Sequence, residues 1–106
     1  MFDTDVDIHL YTYTILCVCN NAVVGCALMR RISQGLTLEK LCTHPTMRGQ
    51  GIATSIISCA QGIGLNLTLH VDNKQGHDML VKYYTQRGFV VRHTNLTETC
   101  MTWGND

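Results

Sequence analysis

The stretch Arg48-Gly49-Gln50-Gly51-Ile52-Ala53 has the residue types of an anion-holding turn. Ile52, Ala53, Ile56, Ile57, Ala60 and Ile63 recur at spacings of three and four, the period of a helix with one buried face. The glycines therefore sit where that helix begins. The first backbone N–H groups of a helix have no partner within it, and the positive end of the helix dipole adds to them, so such a place attracts phosphate. Gly49 and Gly51 let the main chain approach an anion with no side chain in the way, and Arg48 offers a guanidinium at the rim. On composition alone, an ordinary loop with two glycines reads the same. A P-loop is excluded, because Gly51 is followed by Ile52-Ala53 and not by Lys with Ser or Thr. A dinucleotide-binding turn is excluded as well, since Thr54 stands where its third glycine belongs.

The remaining reactive side chains are less organised. Cys17, Cys19, Cys26, Cys42, Cys59 and Cys100 include no C-x-x-C pair and read as reduced thiols. Cys17-Val18-Cys19 places two of them on one face of a strand, with no His or Cys pair to complete a tetrahedral site, so no metal is expected. Cys42 has no neighbouring His or Asp pattern that would activate it as a nucleophile. His44, beside Pro45, reads as an exposed loop residue.

The elements that must position the turn come in two styles. Ile8 to Cys19 and Ala22 to Arg31 are rich in β-branched and aromatic residues and flank Asn20-Asn21, which predicts a hairpin. After the turn at Ser33-Gln34-Gly35, a third strand runs to Thr43 and stops at Pro45, completing an antiparallel meander. Beyond the helix that starts at Ile52, Leu65, Leu67, Leu69 and Val71 alternate with polar residues as a half-buried strand does. Met79, Leu80, Tyr83 and Tyr84 share the face of a second helix, with Gly88 as its stop. Phe89 to Val91 and Cys100 to Trp103 are expected to close the sheet around Asn95. The expected fold class is α/β or α+β, a mixed and mostly antiparallel sheet with two helices.

The chain has 106 residues, 45% of them apolar and one of them Pro, which predicts a single domain over residues 1–106. Eight basic and eight acidic side chains cancel, so the total charge advertises neither a nucleic-acid nor a membrane partner. The start, Met1 to Asp7, is acidic where a secretory signal would be basic, and no apolar run reaches the length of a membrane span. A cytosolic address is expected. The glycosylation triplets Asn66-Leu67-Thr68 and Asn95-Leu96-Thr97 are then chance matches.

The run from Leu41 to Ala53 resembles the acetyl-CoA signature of the GNAT acetyltransferase superfamily, Gln or Arg, two residues, Gly, one residue, then Gly or Ala. About 35 residues on, Tyr83-Tyr84-Thr85-Gln86-Arg87-Gly88-Phe89 is similar to that family's second motif, a tyrosine on the helix before Gly-Phe. Cys100-Met101-Thr102-Trp103 stands where these proteins end on a strand carrying Met. The resemblance implies an N-acetyltransferase that uses acetyl-CoA as acyl donor and a primary amine as acceptor, in a ternary complex. It implies that backbone N–H groups across Arg48, Gly49, Gln50, Gly51, Ile52 and Ala53 hold the pyrophosphate. The strand edge at Leu41 and Thr43 would pair with the pantetheine amides, and His77 stands where the family has an asparagine near the pantetheine. Glu39 matches the general base and Tyr84 the acid that protonates the departing thiolate. A solvated Glu39 beside Lys40, and a packing role for one of the two tyrosines, remain the alternatives. Family members carry a strand and two helices ahead of the meander, where this sequence has Met1 to Asp7. That difference leads to an expected homodimer, and to the alternative of a CoA-binding or dimerising module without turnover.

Overall fold

Asn20 and Asn21 turn the first hairpin with φ of 51° and 66°. Two successive positive φ values define the hairpin turn whose twist matches that of its strands, and Asn is among the few residues that tolerate them. The computed structural model describes residues 12–104. Met1 to Asp7, and the part of the expected first strand from Ile8 to Tyr11, lie outside the described residues. The hairpin joins β1 (Tyr13–Cys19) to β2 (Ala22–Ile32), and β3 (Gly35–Thr43) completes the meander. A single 3-10 turn over Pro45–Met47 leads to α1 (Ile52–Gly62). β4 (Leu67–Asp72), α2 (His77–Thr85), β5 (Val90–Thr94) and β6 (Glu98–Trp103) follow.

All six strands form one sheet in the order β1-β2-β3-β4-β6-β5, so the mixed, mostly antiparallel sheet with two helices expected from the sequence is present. The last two strands are longer than expected, because Asn95 organises the turn between them. Its side-chain oxygen accepts hydrogen bonds from the Thr97 and Glu98 N–H groups and from the Thr97 hydroxyl.

Both helices pack on one face of the sheet, α1 over β1 to β3 and α2 over β4 and β5. Leu67, Leu69 and Val71 point inward to meet Ile57, Ala60, Tyr84, Phe89 and Met101 in the main core. A second cluster seats Ile52 and Ile56 of α1 on Val24 and Ala27 of β2. Gly25 makes this approach possible. A Cβ there would lie 2.6 Å from Ile52 Cγ2 and 2.8 Å from Ile56 Cδ1, well inside contact distance, so the start of α1 is pressed against the backbone of β2.

α2 ends as the sequence predicts. Gly88, at φ 94°, donates to the Thr85 carbonyl and Phe89 donates to the Tyr84 carbonyl, the paired closing bonds of a Schellman motif. The hydrophobic contact that accompanies this motif is the edge-to-face packing of Tyr84 on Phe89.

Among the described residues β3 and β4 are the one parallel pair, and they stay together only briefly. Leu36 pairs with Leu67 and Thr37 with Thr68, after which the register ends. From Leu38 to Thr43 the edge of β3 turned toward β4 has no strand partner among the described residues. The sheet is splayed at its middle.

Candidate functional site

A cleft of about 600 Å³ lies beside the part of β3 that runs on past its pairing with β4. Leu41, Cys42 and Thr43 form its strand wall, Met47, Arg48, Gly49, Gly51 and Ile52 its turn, Ala53 and Thr54 the first helical turn, and Leu80, Tyr83 and Tyr84 the facing wall from α2. The turn has the form that an anion requires. Gly49 and Gly51 have φ of 82° and 78°, and a Cβ on either would meet nothing within 4 Å, so both border open space. Gly51 is the N-cap of α1 and brings no side-chain cap; the first helical bond runs from Ser55 N–H to the Gly51 carbonyl. The N–H groups of Ile52, Ala53 and Thr54 therefore have no acceptor within the helix. No acid stands in that first turn to compete for them.

His44 holds the turn from behind. Its Nδ1 accepts from Thr46 N–H at 3.3 Å and lies 2.8 Å from the Thr46 hydroxyl, capping the 3-10 turn that Pro45 begins. Its own N–H reaches the Val24 carbonyl at 2.7 Å, continuing the β2–β3 ladder to the mouth of the loop.

Of the residues singled out in the sequence, Leu41, Thr43, Arg48, Gly49, Gly51, Ile52, Ala53 and Tyr84 all line this cleft. Gln50 lies in the same turn and is exposed outside the lining. Glu39 is not among the lining residues. β3 bulges at this position, since Leu38 faces Met29 and Lys40 faces Leu28, which leaves Glu39 unopposed between them. Its carboxylate accepts from Arg30 Nε at 2.7 Å. His77 also stands apart from the lining, with Nε2 2.7 Å from the Thr99 hydroxyl and Nδ1 2.9 Å from Asp78.

The two tyrosines differ in environment. Tyr84 is 9% exposed and belongs to the main core, with its ring edge-on to Tyr83 and Phe89. Burial, and secondarily the neighbouring Tyr83, push its hydroxyl pKa above the ordinary value of 10. Tyr83 spans the gap between the helices. Its hydroxyl lies 2.9 Å from Thr54 Oγ1, and the Arg87 guanidinium covers its ring at 3.5 Å. Arg87 also donates to Thr54 Oγ1 at 2.9 Å and to the Tyr83 carbonyl at 2.8 Å, while Gln61 of α1 donates to the Arg87 carbonyl. Sequence reasoning did not single out Met47, Thr54, Leu80 or Arg87. Tyr83 and Arg87 stand four apart on one helix, a spacing that places them on one face and was a legible signal.

A family model described as Acetyltransferase (GNAT) domain matches residues 11–91. No curated protein matches the sequence. Among solved structures, the chain superimposes on PaiA N-acetyltransferase from Thermoplasma acidophilum in complex with coenzyme A, with a TM-score of 0.75 and 18% identity over 87% of this chain and 60% of that one. It is similar to the ribosomal-protein-S18-alanine N-acetyltransferase from Escherichia coli, with a TM-score of 0.73 and 14% identity over 86% of this chain and 67% of that one. Arabidopsis thaliana Naa50 in complex with the bisubstrate analogue CoA-Ac-MVNAL gives a TM-score of 0.71 and 18% identity over 87% of this chain and 72% of that one. At these identities the structures establish a shared fold, and this chain spans only about three-fifths of the PaiA chain. The family model covers most of the sequence, its two motifs meet at one cleft, and the chain belongs to the GNAT acetyltransferase family.

Proposed function

We propose that this domain binds acetyl-CoA and passes the acetyl group to a primary amine by direct attack in a ternary complex. The observation that carries the reading is the edge of β3 beyond Thr37, which has no strand partner on the β4 side among the described residues and runs beside the cleft toward the glycine turn. Pantetheine amides satisfy such an edge as an added strand does, and the diphosphate then falls at the open N–H groups of α1. PaiA holds coenzyme A and Naa50 a CoA-linked analogue on this fold, which supports the placement.

In this arrangement a main-chain N–H of β3 polarises the thioester carbonyl and stabilises the oxyanion formed on attack. Only the unprotonated amine is nucleophilic. Glu39, held by Arg30 outside the cleft lining, takes the ammonium proton through a water. Tyr84 presents its hydroxyl to the departing sulfur. Burial raises its pKa above the ordinary tyrosine value, which already exceeds that of a thiol, so full transfer is uphill. Tyr84 therefore acts chiefly by hydrogen bonding to the developing thiolate.

The Arg30–Glu39 pair favours a second reading, in which the domain binds the coenzyme without turnover because its base is engaged elsewhere. An acceptor screen separates the two. The purified chain is given acetyl-CoA with small amines, peptides and polyamines, and free-thiol release is followed together with acceptor mass. Acetylated product supports transfer. Coenzyme binding with no product across all three classes supports the binding module.

A further inference from the structure

Cys26 on β2 and Cys42 on β3 stand directly opposite one another. Opposed residues of an antiparallel pair share a sheet face with Cα atoms about 4.5–5.5 Å apart, inside the range of about 4.4–6.8 Å that disulfides span. The Cys26 thiol feels the neighbouring Cys42, both are free, and both are only partly buried. Cys42 also belongs to the strand wall of the cleft, and its partial exposure gives one member of the pair access to small molecules.

The fold keeps the other thiols away. Cys17 is opposite Gly25 and packs with the Ile52–Ile56 cluster on the helix side of the sheet. Gly25 faces those same isoleucines, so its neighbour Cys26 points to the opposite side, as does its partner Cys42. Cys19 ends β1 opposite Ala22, Cys59 is exposed on α1, and Cys100 is opposite His70 on the far half of the sheet. A lone reactive cysteine would offer only a mixed disulfide; this arrangement offers a selective pair.

We propose that Cys26 and Cys42 are a modification site that closes to a reversible cross-strand disulfide by exchange with a small-molecule disulfide such as oxidised glutathione. The Cys42 thiolate attacks the small disulfide. A bond forms from its Sγ to one sulfur, the S–S bond breaks, and the first small thiol leaves with the proton that Cys42 lost. Cys26 then attacks Sγ of Cys42, the mixed disulfide breaks, and the second small thiol leaves with the Cys26 proton. Two electrons have passed from the pair to the oxidant. Burial and the adjacent Cys42 push the Cys26 thiol pKa above 9, which disfavours its thiolate and leaves the first attack to Cys42.

The closed bond also acts on the cleft. Opposed Cβ atoms lie about 4.5–5.5 Å apart and a disulfide needs about 3.5–4.5 Å, so closure draws β3 toward β2 at the segment whose outer edge borders the cleft. Bonds strained in this way are the more easily reduced ones, which makes the site reversible.

The test is to incubate the full chain with oxidised glutathione, alkylate the remaining thiols, digest without reduction and map the products by mass spectrometry. The expected product is a Cys26–Cys42 cross-linked peptide that disappears on adding dithiothreitol. Cys26→Ser, or Cys26→Ala if the first variant folds poorly, should instead leave glutathione on Cys42. Separate alkylation of both residues, capping of both, or cross-links to other cysteines in the wild-type protein would overturn the proposal. A second arm rests on the reading of the cleft as an acetyl-CoA site. Acetyl-CoA at about 100 times its dissociation constant should slow cross-linking about 100-fold if only the free protein reacts. A cross-link that forms at the same rate with and without acetyl-CoA supports the pair and tells against the cleft assignment alone.

Discussion

The Tyr83 hydroxyl lies 2.9 Å from Thr54 Oγ1, so α2 is tied to the first turn of α1 across the floor of the cleft. Arg87 donates to the same oxygen, and its Nε is buried without a hydrogen-bond partner. Thr54→Val keeps the shape of the side chain and removes the shared hydroxyl, leaving the guanidinium short of a second partner. The expected loss is about 1–3 kcal/mol, the cost of an unsatisfied polar group in a partly buried site. Chemical denaturation checks it. Tyr83→Phe, which leaves the Arg87–Thr54 bond intact, should cost less.

Gly51 allows charge and backbone strain to be separated. At φ 78°, Ala is strained by about 1–2 kcal/mol, whereas Asp tolerates this region and suits a helix N-cap. Gly51→Ala should therefore lower the melting temperature and retain the coenzyme. Gly51→Asp should fold well but lose the coenzyme, because a carboxylate occupies the place of the diphosphate. Ligand at about 100 times its dissociation constant adds about 2.7 kcal/mol to a protein that binds it, so thermal shifts distinguish the variants. A full shift with Gly51→Asp would place the diphosphate elsewhere.

Glu39 is tested by the shape of a pH profile. Its ion pair with Arg30 is largely exposed, and such pairs contribute about 0–1 kcal/mol, so Glu39→Gln should melt nearly as the wild type does. Turnover should fall most at acidic and neutral pH, where the acceptor is protonated, and recover as pH approaches the amine's own pKa. A uniform reduction across pH would mean that Glu39 takes no proton.

Tyr84→Phe has two expected signatures. The ring still packs on Phe89, so the fold survives while turnover slows without the pH signature of the base. The second is alkaline stability. Burial raises the folded-state pKa above the unfolded value of 10, so the folded protein holds this proton more tightly. The resulting stabilisation is fully present below pH 10 and is lost as pH rises from there through the folded pKa. Denaturation curves above pH 10 should fall less steeply for Tyr84→Phe than for the wild type.

Assembly follows from the outer hairpin. Among the described residues β1 is an edge strand, and Leu16 and Val18 on it are 55% and 60% exposed. An apolar edge of this kind seeks a partner, and a second copy of the chain is the expected one. Light scattering should report a dimer, and a monomer at high micromolar concentration would contradict this.

The fold was legible where local chemistry decides it. Asn20-Asn21, Pro45, the spacing from Ile52 to Ile63 and the Gly88 stop each act over a few residues, and each forms the expected element. The glycine turn was legible for the same reason. The position of Glu39 was not, because its facing depends on a bulge set by the pairing of β3 with β2. Arg87 was missed because its role is set by Thr54, 33 residues earlier in the chain. Cys26 and Cys42 read as unrelated thiols until the register of two strands placed them face to face.

Among the described residues the strand pairing between the two triplets is limited to Leu36–Leu67 and Thr37–Thr68, so the sheet is built as two leaves joined by a short seam. Under the acetyl-CoA reading, the missing part of the seam is supplied by the amides of a molecule that comes and goes with each turnover. The stiffness of the domain is then a property of its saturation. Those β3 amides between Leu38 and Thr43 that face away from β2 should exchange hydrogen quickly in the empty protein and slowly in the loaded one, while those of β6, flanked by β4 and β5, stay protected throughout.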